Sequence, residues 1–259
     1  MIRLLILGGT GDARKLAQHL TEAPCGSPSL DITLSLAGAV TAPGAYPCRT
    51  RIGGFGGIDG LCAYLTAERI DAVVDATHPF AGLITANAHA ACRQTGTPLL
   101  RLLRPAWQPV ASDRWIEVGD LENAARRLPA GARALLAIGR KEIGVFAGRR
   151  DIWCLMRMID PPSPGQALPP GKVLLARPDA REEAEAALCR SHGLTHVVAK
   201  NSGGGWGYAK IAAARALGLP VVMVSRPPEP DGNRVSRAED VAEWISRLGS
   251  TTSARGAES

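Results

Sequence analysis

Aromatic residues and cysteines are scarce in this sequence. Its 259 residues include five Trp, three Tyr, three Phe and six Cys. A core with so few aromatic rings must be built mostly from Leu, Val, Ile and Ala. No cysteine forms a Cys-x-x-Cys pair or another spacing typical of metal ligands, so we expect no metal site. Free thiols in a reducing cytoplasm are therefore expected rather than disulfides.

Long apolar runs and dense runs of basic residues are also missing. No stretch approaches the roughly 18 apolar residues that a membrane-spanning helix needs. The segment Met1–Leu7 reaches Gly8 too early for the apolar region of a secretory signal. Nucleic-acid binding is not favoured, because no basic run or basic strand with interleaved aromatic residues is present. We therefore predict a cytoplasmic protein, a monomer or small homo-oligomer, with no membrane and no nucleic-acid partner.

The charge balance is mildly basic. The chain carries 30 Lys and Arg residues against 24 Asp and Glu residues, a net charge of +6. Such a balance favours anionic ligands, among them phosphates and polycarboxylates. A high use of arginine without functional meaning would give the same balance, so composition alone leaves both interpretations open.

Short apolar stretches alternate with helical patterns along the chain. Leu4–Leu7 ends at glycines and predicts a buried parallel strand. Helical spacing follows directly in Ala13, Leu16, Ala17 and Leu20. The same alternation restarts after a connection near residues 104–109. Strands and helices in this order predict parallel sheets with helices on both faces.

We therefore predict an α/β protein with two Rossmann-like, doubly wound parallel-sheet domains that face a cleft. The first domain would comprise residues 1–108 and the second residues 109–248. Residues 249–259 are small and polar, which predicts a disordered tail. Ligands of such folds bind at the carboxyl ends of the strands, so the loops that follow the strands are the candidate sites.

The first candidate loop contains Gly8, Gly9, Thr10, Gly11 and Asp12, between a predicted strand and a predicted helix. Glycines allow the backbone to approach a pyrophosphate, and the helix N-terminus offers N–H groups with a partial positive charge. The match to G-x-G-x-x-G is imperfect. A tight turn without a ligand is the alternative, but the strand–turn–helix context favours nucleotide binding.

The end of the second predicted strand indicates which nucleotide is bound. It reads Ser35, then Ala37 and Gly38 beyond one leucine, with no acid to bind ribose hydroxyls. A 2′-phosphate would meet no repulsion there, and Ser35 can donate a hydrogen bond to it. NADPH is therefore favoured over NADH. Arg49 and Arg51 would add positive charge if the chain after this strand folds back.

Two further loops carry polar residues at strand ends. The loop after the fourth strand contains Thr77 and His78, which we assign to cofactor binding, with His78 also a candidate catalytic residue. A purely structural histidine is the alternative. The loop Lys200–Lys210 has three consecutive glycines, typical of an anion cradle, with Trp206 and Tyr208 beside them to lie against a flat ligand. A mobile surface loop is the alternative there.

Together, the segments GGTGDAR, SLAG, DATHPFA and KNSGGGWGYAK resemble the precorrin-6A reductase family of cobalamin biosynthesis. The resemblance extends over residues 2–248, and the last two segments are the most specific. It implies an NADPH-dependent oxidoreductase that reduces one ring carbon–carbon double bond of precorrin-6A, or its cobalt-bearing counterpart, to give precorrin-6B. It also implies NADPH mainly on the first domain and the precorrin macrocycle in the cleft, with the second domain as the precorrin-binding one.

The substrate implied by this resemblance is a flat tetrapyrrole derivative with several carboxylates. Cationic and polar groups at the strand ends suit such a ligand. The candidate substrate-binding residues are Arg14, Arg140, Lys141, Arg177, Lys200, Asn201, Ser202, Gly203 and Arg226. Simple solvation at the surface is the alternative for each. The proton donor stays open between His78, Tyr208 and a water molecule.

Three other function classes compete with this interpretation. A short-chain reductase of a small substrate normally needs a Tyr-x-x-x-Lys pair, but the residue four after Tyr208 is Ala212. A methyltransferase would be expected to end the second strand in an acid, where this chain has Ser35. A nucleotide-binding protein without enzymatic activity remains the third alternative.

Overall fold

The protein, described here from a computed structural model, folds into two compact units. One consists of Met1–Arg104 with Pro228–Ser259, and the other of Pro105–Pro227. The structure describes residues 1–22, 29–37 and 46–255, and side chains as far as residue 249. No helix within these ranges is both long enough and apolar enough to cross a lipid bilayer.

Within the described part of residues 1–104 there are five strands and three helices. In chain order they are β1 (Ile2–Leu7), α1 (Gly11–Thr21), β2 (Leu30–Leu36), β3 (Arg49–Ile52), α2 (Gly57–Ala67), β4 (Ala72–Asp75), α3 (Gly82–Thr95) and β5 (Leu99–Leu102). The strand predicted at Leu4–Leu7 and the helix predicted around Ala13–Leu20 are present as β1 and α1, each slightly longer than predicted.

The second unit contains six strands, three α-helices and one short 3₁₀ helix. In chain order they are β6 (Trp115–Val118), α4 (Leu121–Arg127), β7 (Arg133–Ala137), the 3₁₀ helix (Arg140–Phe146), β8 (Trp153–Met158), β9 (Gly171–Leu175), α5 (Glu182–Ser191), β10 (His196–Lys200), α6 (Ala209–Ala216) and β11 (Val221–Val224). The chain then ends with β12 (Arg234–Val235) and α7 (Ala238–Arg255).

Two six-stranded sheets form, with the orders β12-β5-β4-β1-β2-β3 and β6-β11-β10-β7-β8-β9. Every paired strand is parallel to its neighbour. The strand order reverses beside β1 in one sheet and beside β7 in the other, which is the doubly wound arrangement. The predicted α/β fold with two Rossmann-like sheets is confirmed.

The outer strand of each sheet comes from an unexpected part of the chain. After β5 the chain supplies β6 to the second sheet, and after β11 it supplies β12 to the first. The fifth strand of each sheet in chain order is β5 in the first and β11 in the second. Each is followed along the chain by a strand of the other sheet. Neither β6 nor β12 neighbours, within its sheet, the strand that precedes it in sequence.

This exchange corrects the predicted domain boundaries of 1–108 and 109–248. The C-terminal helix α7 belongs to the first unit, because Val241 and Ile245 are buried in the same apolar cluster as Leu4 and Leu16. The predicted disordered tail 249–259 is also corrected in part, since the α7 backbone continues to Arg255. Residues 256–259 lie outside the described ranges.

The central strand β1 explains how the first unit buries its core. Side chains of a strand alternate between its two faces. Leu4 and Ile6 pack on one face, in the cluster that includes α1 and α7 residues, whereas Leu5 and Leu7 pack on the other face with α2 and α3 residues. A strand buried on both faces carries the continuous apolar run seen in the sequence. The glycine loop follows β1 directly, so it lies where the carboxyl ends of the parallel strands meet.

Candidate functional site

The loops after β1 and β4 are joined at the carboxyl edge of the first sheet. Thr10 Oγ1 donates to the carbonyl oxygen of Ala76 at 2.8 Å and accepts from the N–H of Ala13 at 3.0 Å. Thr10 is thus the N-cap of α1 and also connects the glycine loop to the loop that contains Thr77 and His78. These two predicted cofactor loops are neighbours because β1 and β4 pair directly.

The glycine loop has the geometry of a phosphate cradle. A Cβ on Gly8 would lie 2.7 Å from Leu34 Cδ1 and 3.3 Å from the Cβ of Ala13, so any larger residue would force the buried Leu34 side chain to move. Gly9 has a φ of +102°, which disfavours a side chain. Within the described chain, no atom lies within 4 Å of a Cβ built on Gly9 or Gly11. Their backbone is therefore accessible at the N-terminus of α1, where an anion is stabilised.

The charged residues of this loop already have partners in the first unit. Asp12 forms an ion pair of 2.6 Å with Arg104, which offsets a negative charge close to the phosphate cradle. The guanidinium of Arg14 lies over the ring of Tyr46, with its carbon 4.2 Å from the ring centroid. Arg104 is not among the residues predicted from the sequence, because it is distant in sequence from the loop that it contacts.

The end of β2 brings a hydroxyl group and a guanidinium group together. Arg51 Nη1 donates to Ser35 Oγ at 2.7 Å, and the two residues are register partners on the adjacent strands β2 and β3. Arg49 is at the start of β3, is largely exposed and pairs with Glu68 at 3.4 Å. Ala37 is exposed just beyond β2. The predicted residue Gly38 lies outside the described residues.

Arg51 is held in place by more than Ser35. It donates to the carbonyl oxygens of Gly53 at 3.0 Å and Gly54 at 3.1 Å. Its guanidinium carbon lies 3.9 Å from the ring centroid of Phe55 and 5.1 Å from that of Tyr64. Guanidinium groups stack well on aromatic faces. The positive charge at the end of β2 is thus oriented by the fold.

A buried ionic network supports the loop after β4. Asp75 is fully buried, and its Oδ1 accepts from the N–H and the hydroxyl of Thr77 and from Arg101 Nη1 at 2.7 Å. Arg101 is itself 3% exposed and pairs with Glu229 at 3.1 Å. Arg101 and Glu229 are not among the residues predicted from the sequence. An arginine within the apolar stretch Leu99–Leu102 could have indicated a buried charge that needs a partner.

His78 is half-buried in this loop. Its Nδ1 accepts a hydrogen bond of 3.2 Å from the N–H of Phe80, and the two rings lie 5.8 Å apart. An Nδ1 that accepts leaves the proton of a neutral imidazole on Nε2. The fold thus favours the tautomer whose Nε2 carries the proton and can donate a hydrogen bond.

The loop after β10 is firmly anchored in the second unit. The side-chain amide of Asn201 accepts from the N–H of Trp107 at 2.8 Å and donates to its carbonyl oxygen at 2.9 Å. The indole Nε1 of Trp107 donates to the carbonyl oxygen of Gly204 at 2.6 Å. Trp107, which lies in the predicted connection near residues 104–109, is therefore a structural partner of this loop.

Arg226 and Gly203 complete this anchor. Arg226 donates to the carbonyl oxygens of Asn201 at 2.9 Å and Ser202 at 3.0 Å. A Cβ on Gly203 would lie 2.0 Å from the carbonyl oxygen of Pro105 and 2.4 Å from Arg226 Nη2, and its φ is +70°. Asn201, Ser202, Gly203 and Arg226 are thus brought together, as neighbours in one hydrogen-bonded loop.

The other predicted substrate-binding residues lie after neighbouring strands of the same sheet. Lys200, at the end of β10, forms an ion pair with Glu142 of the 3₁₀ helix. Arg140 donates to the carbonyl oxygen of Pro161 at 3.0 Å. Lys141 on the same 3₁₀ helix and Arg177 beyond β9 are exposed. Their positive charges line one edge of the sheet, since β9, β8, β7 and β10 are consecutive there.

Tyr208 lies at the start of α6 and is partly buried. Its hydroxyl oxygen accepts from Arg215 Nη2 at 2.6 Å, and Arg215 also pairs with Asp113 at 2.9 Å. Its ring lies 5.7 Å from that of Trp107. The phenol oxygen is therefore oriented by the guanidinium group of Arg215.

Lys210, in the first turn of α6, is a lysine with a buried side chain. It is 6% exposed, donates to the carbonyl oxygen of Gly207 at 2.6 Å and lies 4.9 Å from the centroid of the Trp107 ring. Burial lowers the pKa of Lys210 to about 8, with a smaller contribution from Arg157 and an opposing one from Glu185. Arg157 and Glu185 form a buried ion pair of 2.8 Å.

Known proteins resemble this chain along nearly its whole length. The family model described as "Precorrin-6x reductase CbiJ/CobK" matches residues 3–246. A precorrin-6A reductase of Rhodobacter capsulatus is 44% identical, covering 97% of this chain and 98% of the relative. One of Rhodococcus erythropolis is 46% identical, covering 97% and 99%. The solved structure of a CobK precorrin-6A reductase matches with a TM-score of 0.89 and 44% identity, covering 96% of this chain and 98% of that one.

The anchor of the loop after β10 predicts a sharp difference between two neighbouring glycines. Gly203→Ala should lower the free energy of unfolding by at least about 2 kcal/mol, because its Cβ meets backbone and its φ is positive. Gly205→Ala should change it by no more than about 0.5 kcal/mol, since no atom of the described chain lies within 4 Å of its Cβ. Urea unfolding compares the variants, and equal losses would contradict the proposed anchor.

Lys210 predicts a pH dependence of stability. The unfolded chain keeps this proton up to about pH 10.5, whereas the folded protein releases it near pH 8. The unfolded state then binds more protons between these values, so the contribution of Lys210 to stability rises with pH. Relative to Lys210→Met, the free energy of unfolding of the wild type should increase by about 2–3 kcal/mol across this range.

Urea unfolding of the wild type and of Lys210→Met at about pH 8 and about pH 10 measures this difference. Using the difference between the proteins cancels the titration of the cysteines, which both contain. A constant difference between the two pH values would contradict the lowered pKa.

Proposed function

The chain belongs to the precorrin-6x reductase CbiJ/CobK family, as an enzyme that reduces a carbon–carbon double bond of precorrin-6A in cobalamin biosynthesis, and we propose that NADPH supplies the hydride. The product of this step is precorrin-6B. The reductase activity follows from the near full-length similarity, whereas the choice of NADPH and the roles of individual residues rest on the site itself.

The single observation that carries the proposal of NADPH is the Ser35–Arg51 pair. Dinucleotide-binding folds that use NADH place an acid at the end of the second strand, where it accepts from the ribose hydroxyls. Here that position holds Ser35, with the Arg51 guanidinium 2.7 Å away. A guanidinium and a hydroxyl are donors that suit a 2′-phosphate. Because position 35 holds a serine and not an acidic residue, no carboxylate at this position repels that phosphate.

The glycine loop suits the pyrophosphate of the same cofactor. The accessible backbone at Gly9 and Gly11 and the N-terminus of α1 would bind it, while Thr10 fixes the loop and Arg104 offsets the charge of Asp12. Thr77 orients the adjacent loop through its bonds to Asp75. We assign Gly8, Ala37 and Gly38 to the same binding region.

The second unit would bind the carboxylates of the substrate. Arg140, Lys141, Arg177 and Lys200 provide positive charge along the carboxyl edge of its sheet, and such groups bind carboxylates through charge-assisted hydrogen bonds. The loop Asn201–Gly203 offers polar groups at the same edge, held by Arg226. Arg14, on α1 of the first unit, stays a predicted substrate-binding residue.

Reduction of a carbon–carbon double bond adds a hydride to one carbon and a proton to its neighbour. When bound, NADPH would supply the hydride with both electrons. The protein would orient the reactants, and such orientation alone can lower a barrier by roughly 7–11 kcal/mol. His78 would donate a hydrogen bond from Nε2 to the substrate, because its Nδ1 accepts from the Phe80 N–H and a neutral imidazole does not readily give up that proton. Tyr208, whose hydroxyl is oriented by Arg215, is the candidate side chain for proton donation, with a water molecule as the alternative.

The proposed activity predicts a preference that a direct assay measures. Purified protein given precorrin-6A should oxidise NADPH with a kcat/KM at least about 100-fold above that for NADH, because a recognised phosphate contributes about 3 kcal/mol. NADPH oxidation is followed by absorbance, with precorrin-6B identified as product. Equal rates with both cofactors would contradict the role of the Ser35–Arg51 pair.

Arg51 and Arg49 provide a matched pair for that role. Arg51→Gln should raise the KM for NADPH about 10- to 100-fold and leave the KM for NADH nearly unchanged, because it removes charge-assisted contacts to the 2′-phosphate. Arg49→Gln, on the same strand, should change neither KM by more than about 2-fold, since Arg49 is exposed and pairs with Glu68. Loss of NADH affinity in Arg51→Gln would instead indicate a general structural effect.

A further inference from the structure

Trp206 is an exposed indole in an otherwise anchored loop. Its exposed fraction is 69%, whereas Trp107 beneath the same loop is 7% exposed. Single exposed apolar side chains are common on protein surfaces, so exposure alone carries no function. The surroundings of Trp206 are what distinguish it.

The backbone on both sides of Trp206 is fixed by hydrogen bonds. The carbonyl oxygen of Gly204 accepts from the Trp107 indole at 2.6 Å, and that of Gly207 accepts from Lys210 Nζ at 2.6 Å. Both of these glycines have a positive φ, near +70° and +77°. The loop conformation is therefore determined by the buried side of the unit, and it presents the indole outward.

Other exposed apolar side chains lie at the same edge of the second sheet. Within the described second unit, four large apolar residues are exposed, and three of them follow or end strands at the carboxyl edge: Ile159 after β8, Leu175 at the end of β9 and Trp206 after β10. The fourth is Val110, in the segment before β6. Neighbouring strands lie about 4.8 Å apart, so this apolar row spans roughly the width of a large flat ligand.

Cationic residues flank this row. Lys141 and Arg177 are exposed at the carboxyl ends of β7 and β9, in the same sheet. A surface that combines exposed apolar groups with a rim of positive charge matches a ligand with a flat conjugated centre and carboxylates at its periphery. Precorrin-6A has this combination of properties.

We propose that Trp206 is a substrate-binding residue whose indole stacks on the conjugated ring of precorrin-6A. This inference rests on the proposed reductase function and extends it to a specific contact. The indole excludes water from one part of the macrocycle and limits its orientation, while the cationic residues bind its carboxylates. Stacking requires no movement of the loop, because the hydrogen bonds at Gly204 and Gly207 already fix its conformation.

The test compares Trp206→Ala and Trp206→Phe with the control Val110→Ala. Val110 is an exposed apolar residue of the same unit, but it lies in the segment before β6 and not in the apolar row. Binding of precorrin-6A without NADPH is titrated by quenching of tryptophan emission, and KM values for both substrates are measured in turnover. Trp206→Ala should weaken precorrin-6A binding and raise its KM about 5- to 10-fold, the effect expected of one aromatic contact. Trp206→Phe should stay within about 2-fold of the wild type, and Val110→Ala should match it.

The affinity for NADPH and the melting temperature should be unchanged in all three variants. Precorrin-6A affinity of Trp206→Ala equal to that of the wild type would overturn the stacking contact, and so would an equal loss for both substrates, which indicates a disrupted loop. A wild type that neither binds nor reduces precorrin-6A would instead overturn the proposed function. The two failures are therefore distinguishable.

Discussion

The two candidate loops of each sheet meet because their strands pair in parallel, β1 with β4 in the first sheet and β7 with β10 in the second. Parallel neighbours end at the same edge of a sheet, so the loops that follow them must lie side by side. The bond between Thr10 and Ala76 is a direct result, because it joins loops that are 66 residues apart in sequence. The same constraint places the Lys200 loop beside the 3₁₀ helix, where Lys200 meets Glu142.

The two loops are stabilised by different chemistry. The loop after β4 depends on buried charge, with Asp75 and Arg101 nearly inaccessible to water and Glu229 paired to Arg101. A buried ion pair adds little net stability, but loss of one partner leaves a charge uncompensated. The loop after β10 depends instead on hydrogen bonds between backbone groups and the side chains of Asn201, Trp107 and Arg226. Both solutions leave polar groups oriented at the sheet edge, as binding and catalysis require.

Sequence reasoning succeeded where the signal is local. The apolar run of β1 followed by glycines, the helical spacing of α1, and the missing acid at Ser35 were all visible, and the structure places Arg51 beside Ser35. It failed where the signal depends on strand order. The assignment of residues 228–248 to the second domain was wrong because an amphipathic helix such as α7 shows which face is apolar, but not which sheet that face covers.

The sequence by itself determined the α/β class, the two glycine-containing loops and the family, because periodicity and short motifs are properties of neighbouring residues. Tertiary structure alone decided the exchanged outer strands and the contacts that make the loops rigid. Arg101 reaches Glu229 across 128 positions and Trp107 reaches Asn201 across 94. No local pattern specifies such partners, since they meet only after the order of the strands in each sheet has been established.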